Sequence, residues 1–449
     1  MSGLFKSVLM AGIAVSALFS AACPGFAGAF AIREQSAEDL GNAFAGAATS
    51  GSSLSSMFWN PATMTSHQGI NSTSLGTGIL PFANVRTTIP ASTLPDSGNI
   101  GEAAFVPASS FSYQVNDSIW AGLTLNSPFG LSTKASQASN GGIYGQSSDV
   151  RSLNIQPTIA YKLNDMLSFG VGLAIQRFSI HLTSLDPAAL YGLVPPGAKF
   201  ISYDDLTGHS WGVGFTAGAT IKPMAGTEIG IGYRSQIKQN LSGNITAIAV
   251  LGSTATAAIK SNITLPDQVN IGIRQKITND LNVMAGFEWT HWSIFNSFPV
   301  TLASNGAPLT SLGFKYRDGW MASLGADYKA TQDLTLRAGL AYETSPISDA
   351  VRSVRLPDNN RVWTSLGLSY ALGKKMSFDV GYTHIFPVGT KIAINCPASP
   401  ACGGKALPAY AANVSSHIDI VSVGLNYRWD DPKAMDANEL PKKAIVRKY

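Results

Sequence analysis

The sequence predicts an all-β protein: a transmembrane antiparallel β-barrel of about fourteen strands with a plug, or hatch, at its N-terminus inside the lumen. Three observations carry that prediction. Apolar residues alternate with small or polar ones along strand-length segments. Tight turns alternate with long loops, and the last segment ends in paired aromatics. The 449 residues include 44 glycines and only 13% charged side chains, with no linker and no shift in composition. A net charge of +4 without a basic cluster gives no sign of nucleic-acid binding.

Residues 1–29 read as a signal peptide. Lys6 precedes an apolar run from Val8 to Phe19, and the small residues Ala27, Gly28 and Ala29 predict cleavage after Ala29. That run is too short to cross a bilayer as a helix. A lipoprotein signal ending at Cys23 is the alternative, but Ser20-Ala21-Ala22 lacks the usual aliphatic at its first position.

Residues 30–69 do not alternate. SAEDLGNAFAGAA predicts a short helix with Ser36 as cap and Asp39 three positions on. The stretch FWNPATM, Phe58 to Met64, follows, and Asn before Pro favours an extended or turn conformation. A segment of this composition has no core of its own. The lumen of a barrel of about fourteen strands is too wide for wall side chains alone to fill and would supply one.

Residues 70–429 are the predicted barrel. In LSFGVGLAIQ, Leu167, Phe169, Val171, Leu173 and Ile175 share an apolar face and Ser168, Gly170, Gly172, Ala174 and Gln176 the other. TEIGIGYRSQI, LNVMAGFEWTHW and SFDVGYTHIF repeat the pattern. Strands are expected to begin near Ile70, Ala103, Ser118, Val150, Leu167, Asp205, Thr227, Ile259, Leu281, Leu312, Leu334, Arg361, Met376 and His417. Turns such as LND (163–165) and TND (278–280) contrast with long loops at 132–149 and 185–204, the asymmetry of an outer-membrane barrel. The ending VSVGLNYRW, with Gly424, Tyr427 and Trp429, is typical of strands delivered to a barrel-assembly machinery. Residues 430–449 run past it as a polar periplasmic tail.

Cys396 and Cys402 remain after cleavage, and in an oxidising compartment they predict a loop-closing disulfide. No metal site is expected, because the six histidines are scattered singly. Arg234, Arg274, Glu288, Asp327, Arg337, Asp379 and Arg428 fall on the lumen-facing parity. Two readings fit these charges: pairing across the lumen or holding the plug, and contact of one arginine with a ligand carboxylate. His291 and His384 fall on the lipid-facing parity, and no serine-containing catalytic motif stands out, so no enzyme is expected.

FAIREQSAEDLGNAFAGAA followed by FWNPATM resembles the N-terminal hatch of the FadL/TodX-like transporters, which carry long-chain fatty acids or hydrocarbons across Gram-negative outer membranes. The similarity continues through NSPFGLST (126–133), LPDQVNIGIR (265–274), GWMASLGADY (319–328) and LPDNNRVWTSLGLSY (356–370). The C-terminal tail and the loop details depart from it. The resemblance implies a ligand-gated, passive uptake channel in the cell outer membrane, without cofactors, acting as a monomer among outer-membrane lipids and lipopolysaccharide. Asn60, Pro61 and Ala62 match the hatch signature. Pro128, Phe129 and Gly130 match the place where a kinked strand opens the wall laterally. An ordinary strand end at the rim is the other reading of these three residues. In the loop SLDPAALYGLVPPGAKFI, Leu190, Tyr191, Leu193 and Val194 correspond to a surface groove for a hydrophobic ligand, shared with TAIAVLGSTATAA (246–258). Simple packing of that loop on the barrel mouth remains open. Fatty acid is the first expectation for the ligand; aromatic or alkane hydrocarbon is the alternative.

Overall fold

Alternating strands with one apolar face close on themselves because closure leaves no edge unpaired. In this computed structural model the described residues are 28–135, 138–185, 204–248, 254–396, 398–402 and 407–430. They form a closed antiparallel ring of fourteen strands. These are β1 (Ile70–Ile89), β2 (Ala104–Gln114), β3 (Ile119–Asn126 continued by Gly130–Lys134) and β4 (Ser147–Lys162). There follow β5 (Leu167–Ser184), β6 (Asp204–Met224), β7 (Thr227–Arg234 with Ile237–Ile248) and β8 (Thr254–Leu265 with Gln268–Lys276). Next are β9 (Leu281–Thr290 with Ser297–Leu302), β10 (Pro308–Gly313 with Gly319–Lys329) and β11 (Leu334–Glu343). β12 (Arg361–Leu372), β13 (Met376–Pro387 with Thr390–Ile394) and β14 (Tyr410–Arg428) complete the ring. Each strand pairs with its sequence neighbours, and β14 returns to β1 with Asn71 opposite Arg428 and Ile79 opposite Ile420.

The side chains obey the alternation. On β5, Phe169, Val171 and Leu173 are 45%, 60% and 48% exposed, whereas Ala174 and Gln176 are fully buried. The apolar face therefore looks out and the polar face looks in. Some strands start earlier than their apolar pattern suggests: β4 at Ser147, β8 at Thr254, β10 at Pro308 and β14 at Tyr410. On β14 the outward residues of this extra length include Asn413 and Ser415. The ladder continues above the apolar band, where the surroundings no longer select hydrophobic side chains.

Turns at one end are short: 163–166, 225–226, 277–280, 330–333 and 373–375. Asn164 shapes one of them, its Oδ1 accepting from the Met166 and Leu167 amides at 2.9 Å. The long connections all lie at the other end. One of them holds Cys396 and Cys402, joined as a disulfide with Cα atoms 5.8 Å apart.

The buried core lies inside the ring, around residues 28–67. The helix there is shorter than SAEDLGNAFAGAA suggests, covering only Ala37–Leu40. Ser36 caps it by accepting from the Asp39 amide at 3.0 Å. It ends early because Ala43 and Phe44 take positive φ values of 53° and 61°, which break the helical path. Two 3-10 turns follow, Leu54–Phe58 and Pro61–Ser66. The wall accommodates this segment with glycine. A Cβ on Gly230 would sit 1.8 Å from the Ala48 carbonyl oxygen, and one on Gly339 would sit 2.2 Å from the Asn42 backbone.

Candidate functional site

Asn60 shows why Asn-Pro stands where it does. Its backbone is extended (φ −141°, ψ 105°), and Pro61 occupies the first position of the next turn, where no amide donor is needed. Its Oδ1 accepts from the Ala62 amide at 3.0 Å. Its Nδ2 donates to the carbonyls of Ala48 and, on β6, Ala219, at 2.8 and 2.9 Å. One buried side chain thus closes the turn, ties it to the preceding residues and fixes both to the wall.

Charged pairs tie the same segment to another part of the wall, β9 and β11. Arg33 meets Glu288 on β9 and Glu343 on β11, each at 2.6 Å. Glu343 also pairs with Arg361 on β12 at 3.2 Å and accepts from the Trp363 indole at 3.0 Å. Below it, Glu38 meets Arg337 at 3.1 Å and accepts from the Ser52 and Ser53 amides at 3.0 and 2.8 Å. Burial raises the Glu38 pKa, but Arg337 and Arg274 outweigh it and hold the carboxyl at about 2. Arg274 and Arg337 also pair with Asp327, at 2.7 and 3.3 Å. Such pairs contribute registry more than net stability, because each charge has lost its water.

Of the lumen-parity residues, Glu288, Asp327, Arg337 and Asp379 are buried inside the ring, Arg274 is mostly buried, and Arg428 pairs with Asp430 near the short-turn end. Arg234 is 4% exposed and differs from the others. Its Nη2 donates to the Phe58 carbonyl at 3.0 Å and its guanidinium lies 4.4 Å from the centre of the Phe58 ring. Sequence reasoning missed Arg33, Glu38, Glu343 and Arg361. For Glu343 and Arg361 a signal existed: both sit on the inward parity at the long-loop ends of their strands.

Residues 127–130 leave the wall. β2 and β3 pair from Gln114 opposite Trp120 to Ser109 opposite Leu125, and among the described residues their ladder goes no further. The chain turns instead to residues 30–35. Gln35 Nε2 donates to the Ser127 carbonyl at 2.9 Å, Ile32 N to the Pro128 carbonyl at 2.8 Å, and Gly130 N to the Phe30 carbonyl at 2.8 Å. Ser152 Oγ on β4 accepts from the Phe129 amide and donates to its carbonyl, at 2.8 and 2.7 Å. Pro128 has no amide to leave unpaired, so the detour is cheap at that residue. β3 rejoins β4 with Gly130 opposite Arg151.

An apolar chamber adjoins this detour on the long-loop side. Phe30, Leu131, Phe178, Ile180, Phe295 and Phe314 are among its walls. Its cavity volume is about 60 Å³. Phe30 stands between chamber and detour, its ring 5.9 Å from Phe129, 4.8 Å from Trp292 and 5.2 Å from Phe295. Leu190, Tyr191, Leu193 and Val194, assigned from sequence to a surface groove, lie outside the described residues, as do residues 249–253 of TAIAVLGSTATAA.

His291 and His384, the two histidines of lipid-facing parity, bond to aspartates. His384 Nδ1 lies 2.7 Å from Asp419, which also accepts from the Tyr382 hydroxyl at 2.7 Å, and His291 Nδ1 lies 3.0 Å from Asp267. Both groups are on the outward face, away from the lumen.

With this geometry in hand, comparison with known proteins gives one consistent result. Residues 18–437 match the family described as outer membrane protein transport protein (OMPP1/FadL/TodX). The long-chain fatty acid transport protein of Salmonella typhi is 27% identical over 385 residues, covering 81% of this chain and 88% of that one. The structure of a Pseudomonas aeruginosa FadL homologue superposes with a TM-score of 0.80 at 22% identity, covering 90% of this chain and all of the other. The P. putida toluene transporter TodX superposes at 0.63 and 18% identity, covering 88% and 99% of the two chains.

Proposed function

The chain belongs to the OMPP1/FadL/TodX family of outer membrane transport proteins, and from that premise we propose that it takes up long-chain fatty acids by ligand-gated passive diffusion with a lateral exit into the membrane. That it is an outer-membrane β-barrel transporter of hydrophobic compounds follows from the family itself. The division into signal peptide (1–29), hatch (30–69), barrel (70–429) and periplasmic tail (430–449) is part of this reading. So are a monomeric state, delivery by the barrel-assembly machinery, and a surround of lipid and lipopolysaccharide. The protein performs no catalysis in this scheme; it lowers a permeability barrier.

The observation that carries the reading is the exchange of partners at residues 127–130. β3 bonds there to residues 30–35 of the hatch in place of β2, next to an apolar chamber. A ligand captured at the outer loops around Leu190, Tyr191, Leu193 and Val194 would descend into the chamber. Burial there contributes ~0.8 kcal/mol per methylene, about 10 kcal/mol gross for twelve carbons before ordering costs. Filling the chamber requires Phe30 to move, because the free space is small. Moving Phe30 strains the bonds to Pro128 and Gly130 and opens the wall beside Phe129. The ligand then leaves sideways into the bilayer and never enters the aqueous periplasm.

The alternative ligand is an aromatic or alkane hydrocarbon; TodX is a toluene transporter, and the aromatic lining of the chamber suits such a ligand equally. Uptake of labelled oleate and of toluene, in cells with and without this chain, tests the reading. Oleate uptake that depends on the chain is the expected result. Dependence for toluene alone selects the alternative, and dependence for neither removes both.

A further inference from the structure

The luminal arginines are not equivalent. Arg33, Arg274, Arg337 and Arg361 each meet at least one carboxylate within 3.3 Å. Arg234 has no carboxylate within ion-pairing distance among the described residues. Glu288, two strands along the wall on β9, lies beyond ion-pairing distance of Arg234 and is held by Arg33. The contacts of Arg234 are the neutral Phe58 carbonyl and ring, and its Nη1 is buried without a hydrogen-bond partner. A buried guanidinium lacking its anion is among the most costly arrangements a protein keeps.

Its neighbours repeat the pattern. Thr216 on β6 stands in register with Arg234, and its Oγ1 is buried and unbonded. Gly172 on β5 is opposite Thr216, and a Cβ there would lie 2.7 Å from Thr216 Oγ1, 2.9 Å from Thr158 Oγ1 and 3.1 Å from Gln156 Cγ. The absent side chain lets polar groups of β4 and β6 converge across β5. Both amide atoms of Gln156 and both of Gln176 are buried and unbonded. Elsewhere most luminal polar groups find partners in the N-terminal segment or in the wall.

We propose that Arg234, with Thr216 and the Gln156 amide, forms a receiving site for the carboxylate headgroup of the transported amphiphile. This rests on the reading that a long-chain fatty acid passes through the lumen, and it adds which side chains receive the head. The donors at hand are Nη1, the Thr216 hydroxyl and the Gln156 Nε2, and a carboxylate with two oxygens can take them together. A hydrocarbon would leave all of them unpaired. Water would satisfy the amides but leave the charge uncompensated. The same guanidinium grips Phe58, the first residue of FWNPATM, so an arriving anion competes with the hatch for it. Headgroup capture thereby loosens the segment that Asn60 positions.

The test uses the full mature chain in non-ionic detergent, above pH 7, with laurate and methyl laurate as probes in titration calorimetry. The wild type is expected to prefer laurate. Arg234→Met should reduce the ratio of the two affinities at least tenfold, Thr216→Val should reduce it a few-fold, and Arg234→Lys should restore part of it. A purely structural Arg234, anchoring Phe58 alone, would weaken both probes equally or neither. Either of those results overturns the proposal while leaving the uptake reading standing. Binding of neither probe by the wild type overturns both.

Discussion

Asn60 makes three hydrogen bonds from one side chain, to the Ala62 amide and to the Ala48 and Ala219 carbonyls. Asn60→Ala removes the cap and strands two buried carbonyls, a cost of about 2–3 kcal/mol to the seating of the hatch. A cysteine placed at the fully buried Ala62 should then react with maleimide much faster than in the Asn60 background. Asn60→Asp keeps the accepting oxygen but loses the donors, so its labelling rate should fall between the two. Glu34 gives a second prediction at this scale. Both its carboxyl oxygens are buried without a hydrogen-bond partner, and burial, opposed by the nearby Glu34 backbone amide and by Arg33, pushes its pKa up to about 7. Asp39 is pushed up to about 7 as well, by burial and by Glu38. A folded-state pKa above the unfolded value of ~4.3 means native Glu34 holds its proton longer. Its stabilisation of the docked hatch is complete below that value and is lost as pH rises through about 7. Leak events in planar bilayers should be more frequent at pH 8 than at pH 5, and Glu34→Gln should weaken that dependence.

The third strand decides more than any other element. Its detour at 127–130 depends on a proline that has no amide and a glycine that has no side chain. Replacing both by valine restores the residues a regular strand prefers, which favours pairing with β2 over pairing with residues 30–35. Chain-dependent ligand uptake should drop at least tenfold, with ion conductance and heat-modifiable migration unchanged. Preserved uptake would remove the lateral exit from the proposed route. Pro128 and Gly130 were legible in the sequence as a weak point. Their new partners were not, because no local pattern says that Ile32 and Phe30 will stand opposite them.

A closed ring of fourteen strands leaves a lumen wider than wall side chains can fill, and residues 28–67 supply the rest of the packing. The charge pairs run from that segment to β9 and β11, and from β11 on to β12, so its seating and the shape of the wall are coupled. Deleting residues 30–66 should leave a folded, detergent-soluble barrel whose ion conductance is at least ten times that of the intact protein. A deleted form as tight as the wild type would mean that the wall, not the segment, closes the passage.

Local chemistry was enough to determine the strands and the way they face. Period-two alternation states which side meets lipid, and turn residues such as Asn164 state where a strand reverses. The short turns and the cap at Ser36 are written in a few adjacent residues. The early end of the helix at Leu40 is not, since it depends on Ala43 and Phe44 adopting left-handed backbone beneath a glycine-lined wall. The charges were legible as inward-facing but not as partners. Arg33 and Glu343 are separated by 310 residues, and only closure of the ring brings them within 2.6 Å. Closure also decides which arginine is left without a carboxylate, because pairing depends on distance across the lumen and not on position along the chain.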